Sequence, residues 1–200
     1  MSDTISIVSE AVNLLEKYES EMCDVDFYTY VSFNSEDMST WKNTIYPALV
    51  PTGVILDDLF FFADGSQKGE GIGNNGTFLS MAYYNFLYRC YKYLYTSSGK
   101  KPQSTITKLI SQCSDMLEKY IDYFYDTRNQ QFTINLRQND LKLWKETYFP
   151  QLVETDIIPD YSYFNWWNGN KNVGIGADGQ MYSDELFHFL MECFRYLYKN

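Results

Sequence analysis

The sequence predicts an α+β protein built from two copies of a unit of about 95 residues. Three observations lead to this fold class. Blocks of identical residues recur 103 positions apart, apolar residues recur every three or four positions at both ends of each copy, and apolar and polar residues alternate near its middle. The chain has 200 residues, of which 45% are hydrophobic and 21% charged, a composition typical of globular proteins.

The repeat covers most of the chain. Residues 41–97 align with residues 144–200 without a gap, and 22 of the 57 aligned positions are identical. Upstream, Leu15-Glu16-Lys17-Tyr18 matches Leu117-Glu118-Lys119-Tyr120 at a spacing of 102. The second copy therefore has one extra residue between this motif and its tryptophan, and an insertion of that size is typical of a loop.

These spacings predict a tandem duplication with pseudo-two-fold symmetry. The first repeat unit spans 4–97 and the second spans 106–200. The segment 98–105 is polar, contains Gly99 and Pro102 and lacks periodicity, so we expect it to be a linker. In each unit the predicted order of elements is helix, strand, helix, aromatic strand, glycine-rich hairpin and helix.

Each unit opens with an amphipathic helix whose apolar residues share one face. These residues are Ile7, Val8, Ala11, Leu14, Leu15, Tyr18 and Met22 in the first copy and Leu109, Ile110, Cys113, Met116, Leu117, Tyr120 and Phe124 in the second. Alternation then predicts a half-buried strand, at Val31 and Phe33 in the first copy and over 132–136 in the second.

The second helix of each unit is predicted over 35–45 and over 139–148. We expect Pro47 and Pro150 to end or kink these helices, because a proline lacks the N–H that continues the hydrogen-bond ladder. This helix completes the first half of the unit.

The second half of each unit begins with a strongly aromatic strand, predicted over 54–63 and 157–167. The last helix starts at Ser80 or Ser183, whose hydroxyl is expected to cap it. Its shared apolar residues are Phe86, Leu87, Cys90, Tyr93 and Leu94 in the first copy.

A glycine-rich loop precedes the last helix of each copy. Gly71-x-Gly73-x-x-Gly76 recurs as Gly174-x-Gly176-x-x-Gly179, the spacing of a dinucleotide-binding loop. The residues before it are polar, and the acidic residue that would bind the ribose about 20 positions downstream is missing. We therefore predict a hairpin whose glycines take positive φ, and no cofactor.

Other patterns typical of reactive sites are incomplete. Asn168-x-Asn170-x-Asn172 lacks the glycine and the bidentate acid of a calcium loop, so we predict no metal site. His188 is the single histidine and is expected on the surface of the last helix. Asp57 and Asp160 share an aligned position, where a structural carboxylate is the expected role. The sequence thus favours a protein that is not an enzyme.

The chain is strongly acidic, with 26 Asp and Glu residues, 16 Lys and Arg residues and a net charge of −10. This charge disfavours direct nucleic-acid binding and favours a basic protein partner. We expect no signal peptide, and the sequence has no apolar run long enough to span a membrane. Four cysteines without a Cys-x-x-Cys pair favour reduced thiols and a cytoplasmic location.

The two copies differ most in the turn between the aromatic strand and the glycine-rich loop. The second copy has Trp166-Trp167 where the first has Ala63-Asp64. Exposed aromatic residues are enriched in the hot spots of protein interfaces. We expect partner contacts here and on the adjoining loop, at Asp64, Glu70, Trp166, Trp167 and Asp178.

Two stretches carry a family resemblance. Trp41-Lys42…Pro47-x-Leu49 and Phe61-Phe62-Ala63-Asp64-Gly65, with their second-copy partners, are similar to segments of bacterial immunity proteins, which neutralise polymorphic or contact-delivered toxins. The resemblance implies a small, acidic, cytosolic α+β protein, often duplicated, that inhibits a toxin by stoichiometric binding.

Two alternatives stay open. A phage or mobile-element inhibitor of a host nuclease or defence protein would use the same acidity as a partial DNA mimic. An enzyme acting on a glycan or metabolite in a cleft between the repeats would use Asp57, Asp160 and the tryptophan pair.

Overall fold

The structure is a computed structural model that describes residues 2–23, 30–55, 71–73, 75–126, 133–158, 175–176 and 178–200. The chain divides into two compact units, 1–99 (unit 1) and 100–200 (unit 2). The boundary between them falls inside the predicted linker, 98–105. The described residues form helices and small two-stranded antiparallel sheets, in agreement with the α+β class.

Unit 1 has a helix at each end and its short strands between them. Its elements are α1 (Ser2–Glu16), α2 (Glu19–Cys23), β1 (Tyr30–Ser32), α3 (Ser35–Thr40), a π-helical turn (Trp41–Ile45), α4 (Tyr46–Leu49), a 3₁₀ turn (Val50–Thr52), β2 (Thr77–Leu79) and α5 (Ser80–Ser97).

The described elements of unit 2 follow the same order, without the 3₁₀ turn. They are α6 (Thr105–Glu118), α7 (Ile121–Asp126), β3 (Thr133–Asn135), α8 (Gln138–Leu143), a π-helical turn (Trp144–Tyr148), α9 (Phe149–Glu154), β4 (Gln180–Tyr182) and α10 (Ser183–Lys199).

The first helix of each unit packs against the last one. In α1, the residues Val8, Ala11, Val12, Leu14 and Leu15 are buried where α1 meets α5, and α6 packs on α10 in the same way. The predicted apolar faces are therefore confirmed within α1 and α6, except that Ile7 and Leu109 are only half-buried. Each predicted helix ends earlier than expected, at Glu16 and Glu118, so Tyr18, Met22, Tyr120 and Phe124 follow it; the side chain of Phe124 lies outside the described ones. Burying such a stripe stabilises a helix that would be marginal alone in water.

In each unit, the strand that follows the first two helices pairs with the strand that precedes the last helix. In the sheet of unit 1, Val31 pairs with Phe78. In the sheet of unit 2, Ile134 pairs with Met181. Because both residues of each pair are 103 positions apart from their counterparts, the two sheets have the same register.

The prolines do not end the second helix of either unit. Helix α3 continues through the π-helical turn into α4, so the predicted 35–45 helix extends past Pro47 to Leu49. A proline ring clashes with the carbonyl four residues earlier. The π-helical turn removes the regular ladder at this point, because the Tyr46 N–H donates to the Trp41 carbonyl oxygen five residues back.

The predicted glycine-rich hairpin is confirmed at its tip, with one correction. Gly76 has φ +82° and Gly179 has φ +90°, while Gly73 and its counterpart Gly176 do not adopt positive φ. Gly73 is required for a different reason. A Cβ there would lie 2.8 Å from Asn75 Oδ1 and 3.2 Å from the Thr77 carbonyl oxygen, and the Gly73 N–H donates to that carbonyl at 2.7 Å.

The structure differs from the predictions at the start of each aromatic strand and at the serine cap of α5. Val54 and Ile55, at the start of the first predicted aromatic strand, are buried in a bend, and so are Ile157 and Ile158; the remainder of both predicted strands lies outside the described residues. Helix α5 starts at Ser80, but its N-cap is Leu79, which makes no side-chain capping bond. The expected serine cap is wrong for this helix, because Ser80 already lies in the first turn.

Candidate functional site

One stripe of the first helix of each unit faces solvent. In unit 1 the exposed positions follow one another at intervals of three and four residues, and they are Asp3, Ser6, Glu10, Asn13 and Lys17. In unit 2 the corresponding exposed positions are Thr105, Lys108, Gln112, Asp115 and Lys119. The two stripes occupy the same helix face, since each pair is separated by 102 residues. They differ in charge: acids dominate the first and bases the second.

The lysine of the unit 1 stripe is held by a buried carboxylate. The Lys17 ammonium lies 2.7 Å from Asp37 Oδ1, and the Asp37 side chain is 8% exposed. Asp37 Oδ2 accepts hydrogen bonds from the Tyr18 hydroxyl and from Asn34 Nδ2, both at 2.8 Å. The Asn34 N–H in turn donates to the Tyr18 hydroxyl at 3.0 Å. Lys17 therefore neutralises Asp37 rather than the acids around it.

This network lowers the pKa of Asp37. Burial acts to raise it, but the hydrogen bonds from Lys17 and Tyr18 and the charge of Lys17 outweigh burial. The Tyr18 hydroxyl responds in the opposite direction: burial and the neighbouring carboxylate raise its pKa. At neutral pH the network therefore holds an ionised Asp37 and a protonated Tyr18, which fix the end of α1 against the start of α3.

Two more exposed acids adjoin this network. Glu21 lies on α2, three residues after Tyr18, and Glu36 precedes Asp37 in the first turn of α3. With Asp3 and Glu10 of the α1 stripe they make up what we call the acidic face of unit 1. Its members are Asp3, Glu10, Glu21 and Glu36, and all four are exposed.

Unit 2 carries no acid at any of the four corresponding positions. These are Thr105, Gln112, Tyr123 and Asn139. Over whole units, unit 1 has 13 acidic and 5 basic residues, whereas unit 2 has 13 acidic and 11 basic ones. The acidity of this protein is thus concentrated in unit 1, and the α1–α2–α3 region accounts for much of the difference.

Unit 2 keeps the core of the network but changes its surroundings. The Tyr120 hydroxyl lies 2.5 Å from Asp140 Oδ2 and accepts the Arg137 N–H at 2.9 Å. Burial, followed by the hydrogen bond to Asp140, raises the pKa of Tyr120 to about 12. The Arg137 guanidinium donates to the Tyr123 hydroxyl at 2.6 Å. The arrangement places an arginine and an exposed aromatic ring where unit 1 has Asn34 and Glu21.

Unit 2 also exposes large apolar side chains in this region. Tyr123 is 45% exposed and Leu143 is 44% exposed, and the corresponding residues of unit 1 are Glu21 and Thr40. The surface of unit 2 is therefore basic and partly apolar where the surface of unit 1 is acidic.

Of the five residues predicted to contact a partner, the structure describes Asp178. It is exposed at the hairpin tip, and its Oδ1 accepts the Gln180 N–H at 3.1 Å, as Asn75 Oδ1 accepts the Thr77 N–H at 3.0 Å in unit 1. One oxygen of Asp178 thus closes the turn. Asp64, Glu70, Trp166 and Trp167 lie outside the described residues, and the role of all five in binding stays a prediction.

Of the titratable residues considered for a reactive site, Asp57, Asp160 and His188, the structure describes His188. Asp57 and Asp160 lie outside the described residues. His188 is partly covered instead of standing on the surface, with its side chain 25% exposed and its Nε2 3.8 Å from Glu192 Oε1. The same Glu192 oxygen accepts from Arg195 Nη1 at 3.1 Å. Glu192 therefore lies between His188 and Arg195 along α10.

Metal binding and membrane insertion find no support in the part of the chain that the structure describes. No group of three or more His, Cys, Asp or Glu side chains there is placed to hold a metal ion. Each helix described here is too short or too polar to cross a bilayer. Comparison with protein-family models, with curated proteins and with solved structures finds no match to this chain.

Sequence reasoning overlooked the acidic face. Its signal was present, because the four acids align with four uncharged residues at spacings of 102 or 103. The sequence alone does not show which positions on α1, α2 and α3 face solvent.

Proposed function

We propose that this chain is a non-enzymatic binding protein that neutralises a basic protein, such as a toxin or nuclease domain, by forming a stoichiometric complex. The observation that supports the proposal is the acidic face of unit 1. Four exposed carboxylates lie on α1, α2 and α3, and Lys17, the base that follows α1, pairs with buried Asp37. Such a surface complements a positively charged cleft.

The contribution of the acidic face to the binding free energy follows from the usual strength of exposed ion pairs. An exposed ion pair contributes about 0.2–1 kcal/mol, so four of them contribute on the order of 1–4 kcal/mol to a complex. Long-range attraction between an acidic and a basic surface also raises the association rate, and salt weakens it. The acidic face therefore supports fast, salt-sensitive capture of the partner, with apolar and aromatic contacts elsewhere supplying the remaining affinity.

We further infer that the two units arose by tandem duplication and then diverged at their surfaces. Equivalent hydrogen bonds support this history: the Phe33 N–H donates to the Gly76 carbonyl at 3.0 Å, and the Leu136 N–H donates to the Gly179 carbonyl at 2.9 Å. These internal bonds recur, while the four carboxylates of the acidic face do not. On this proposal one copy became the acidic binding unit.

A cytoplasmic location belongs to the same proposal. Among the described side chains, Cys90, Cys113 and Cys193 are free and buried, as expected for thiols kept in a reducing compartment. The relevant partner would then be a basic protein that acts on cytoplasmic components.

The proposal is tested by affinity capture with matched charge variants. The full chain is immobilised and exposed to a lysate of its native host and of strains that compete with it. The acidic-face variant carries Asp3→Asn, Glu10→Gln, Glu21→Gln and Glu36→Gln. The control variant removes four exposed acids of unit 2 with the changes Asp115→Asn, Asp122→Asn, Glu146→Gln and Glu154→Gln. Both variants have the same net charge.

We expect the native chain and the control variant to retain one basic protein in an equimolar complex. The acidic-face variant should bind it about fourfold or more weakly, because four pairs of about 0.2–1 kcal/mol are lost. Equal retention by both variants would contradict the assignment to unit 1. Failure of the native chain to retain any basic protein would contradict the proposed function itself.

A further inference from the structure

The contact between α6 and α10 brings two cysteines together. Cys113 of α6 is 0% exposed and Cys193 of α10 is 1% exposed. Helices α6 and α10 pack directly against each other, and the Cys193 thiol neighbours the Cys113 thiol. Unit 2 therefore contains a buried pair of thiols on two helices that are far apart along the chain.

Unit 1 has a cysteine at one of the two corresponding positions. Cys90 of α5 aligns with Cys193 and is also fully buried, but the position corresponding to Cys113 is Ala11 of α1. Helices α1 and α5 pack as α6 and α10 do. At these two aligned positions unit 1 therefore has a methyl group and a thiol, whereas unit 2 has two thiols.

We propose that Cys113 and Cys193 form an oxidation site, at which a disulfide closes and covalently joins α6 to α10. The site is independent of the proposed partner binding. A dialkyl disulfide such as oxidised glutathione is a sufficient oxidant. One protein thiolate attacks it and releases one glutathione thiolate, and the second protein thiolate then displaces the other glutathione. The products are the protein disulfide and two molecules of reduced glutathione, which carry the two electrons and the two protons that the protein thiols lose.

Geometry and burial define how the reaction proceeds. For the disulfide to form, rotation of the two side chains on the packed helices must bring the sulfur atoms to about 2 Å from each other. Burial, reinforced by the neighbouring thiol, raises the pKa of the Cys113 thiol well above its ordinary value. The closed unit therefore holds little thiolate, and oxidation proceeds through transient opening of the α6–α10 contact.

The test treats the full chain with excess oxidised glutathione at pH 8, with and without a urea concentration well below the unfolding midpoint. Free thiols are then trapped with iodoacetamide under denaturing conditions. Cys113 and Cys193 lie on separate tryptic peptides, 109–119 and 172–195, so a disulfide between them is identified by mass spectrometry. The matched control is Cys113→Ala, which gives unit 2 the residue that unit 1 already has.

We expect slow loss of about 2 Da, accelerated by dilute urea, with the cross-link confined to peptides 109–119 and 172–195 and with Cys90 alkylated. The oxidised chain should unfold at a higher urea concentration than the reduced chain, because the bridge constrains the unfolded state. Cys113→Ala should fold, leave Cys193 outside any intramolecular disulfide and show no stability gain on oxidation. Separate alkylation of both cysteines, or cross-links spread among all four cysteines, would overturn the proposal.

Discussion

Asp37 is the residue on which the start of α3 depends. Its carboxylate accepts from Lys17, Tyr18 and Asn34, and its side chain is nearly inaccessible to solvent. Asp37→Ala removes the shared acceptor and leaves the buried Tyr18 hydroxyl without it, so we expect a loss of about 2–3 kcal/mol in the free energy of unfolding. Glu36→Ala is the matched control, because it deletes an exposed carboxylate one residue earlier and should cost less than about 0.5 kcal/mol. Urea unfolding that gave equal values for the two variants would contradict this role.

The same carboxylate gives unit 1 a defined acid response. Because the pKa of Asp37 is lower in the folded state than its ordinary value of 3.8, the ionised form stabilises the fold. This contribution is fully present above the unfolded pKa and is lost as the pH falls through the lower folded pKa. We expect the difference in unfolding free energy between the native chain and Asp37→Asn to shrink as the pH is lowered below about 4, measured by urea unfolding at a series of pH values. A difference that stayed constant would contradict the network.

Alanine substitutions at two glycines distinguish the stability cost of backbone strain from that of steric crowding. Gly53 has φ +70° and open space within 4 Å of the position that a Cβ would take, whereas Gly76 has φ +82° and a Cβ there would lie 3.2 Å from Met38 Sδ. Gly53→Ala should cost about 1–2 kcal/mol through strain alone. Gly76→Ala should cost more, because the hairpin tip must also shift against Met38. Thermal or urea unfolding of both variants checks the order, and an equal or smaller loss at Gly76 would be inconsistent with the described packing.

At the scale of elements, periodicity predicted the helices that pack with one buried stripe. The apolar spacing in α1 and α6 was sufficient, because burial of that face dominates their stability. The π-helical turns were not predictable. They depend on how the buried Trp41 and Trp144 and the following prolines fit one helix, which local propensity does not encode. The acidic face was not predictable either, because the exposure of Glu10 and Glu36 depends on how their helices pack.

The capping box of α6 provides a test at this scale. The Ser104 hydroxyl accepts the Thr107 N–H at 3.1 Å, and the Thr107 hydroxyl accepts the Ser104 N–H at 3.0 Å. Ser104→Ala should lower the free energy of unfolding by about 1 kcal/mol, because a helix-terminal N–H loses its acceptor. Thr105→Ala, at the exposed next position, should stay within about 0.5 kcal/mol of the native chain. Urea unfolding that placed Ser104→Ala in the same narrow range would exclude a stabilising cap.

At the scale of the whole molecule, two units share internal bonds and differ in surface charge. Proteins tolerate change at exposed positions, so a duplicated chain can keep one scaffold while one copy becomes a binding surface. The recurring Tyr18–Asp37 and Tyr120–Asp140 contacts belong to the scaffold. The carboxylates of unit 1 and the arginine and exposed aromatic ring of unit 2 belong to the surface that differs between the units.

The central claim, neutralisation by a stoichiometric complex, is tested most directly by titrating the activity of the captured basic protein with this chain. We predict that inhibition grows linearly with added chain and stops at one mole per mole, with the partner recovered chemically unchanged and active after dissociation in high salt. Complete inactivation at a small fraction of one equivalent, or a partner recovered with altered mass, would show turnover and contradict the account.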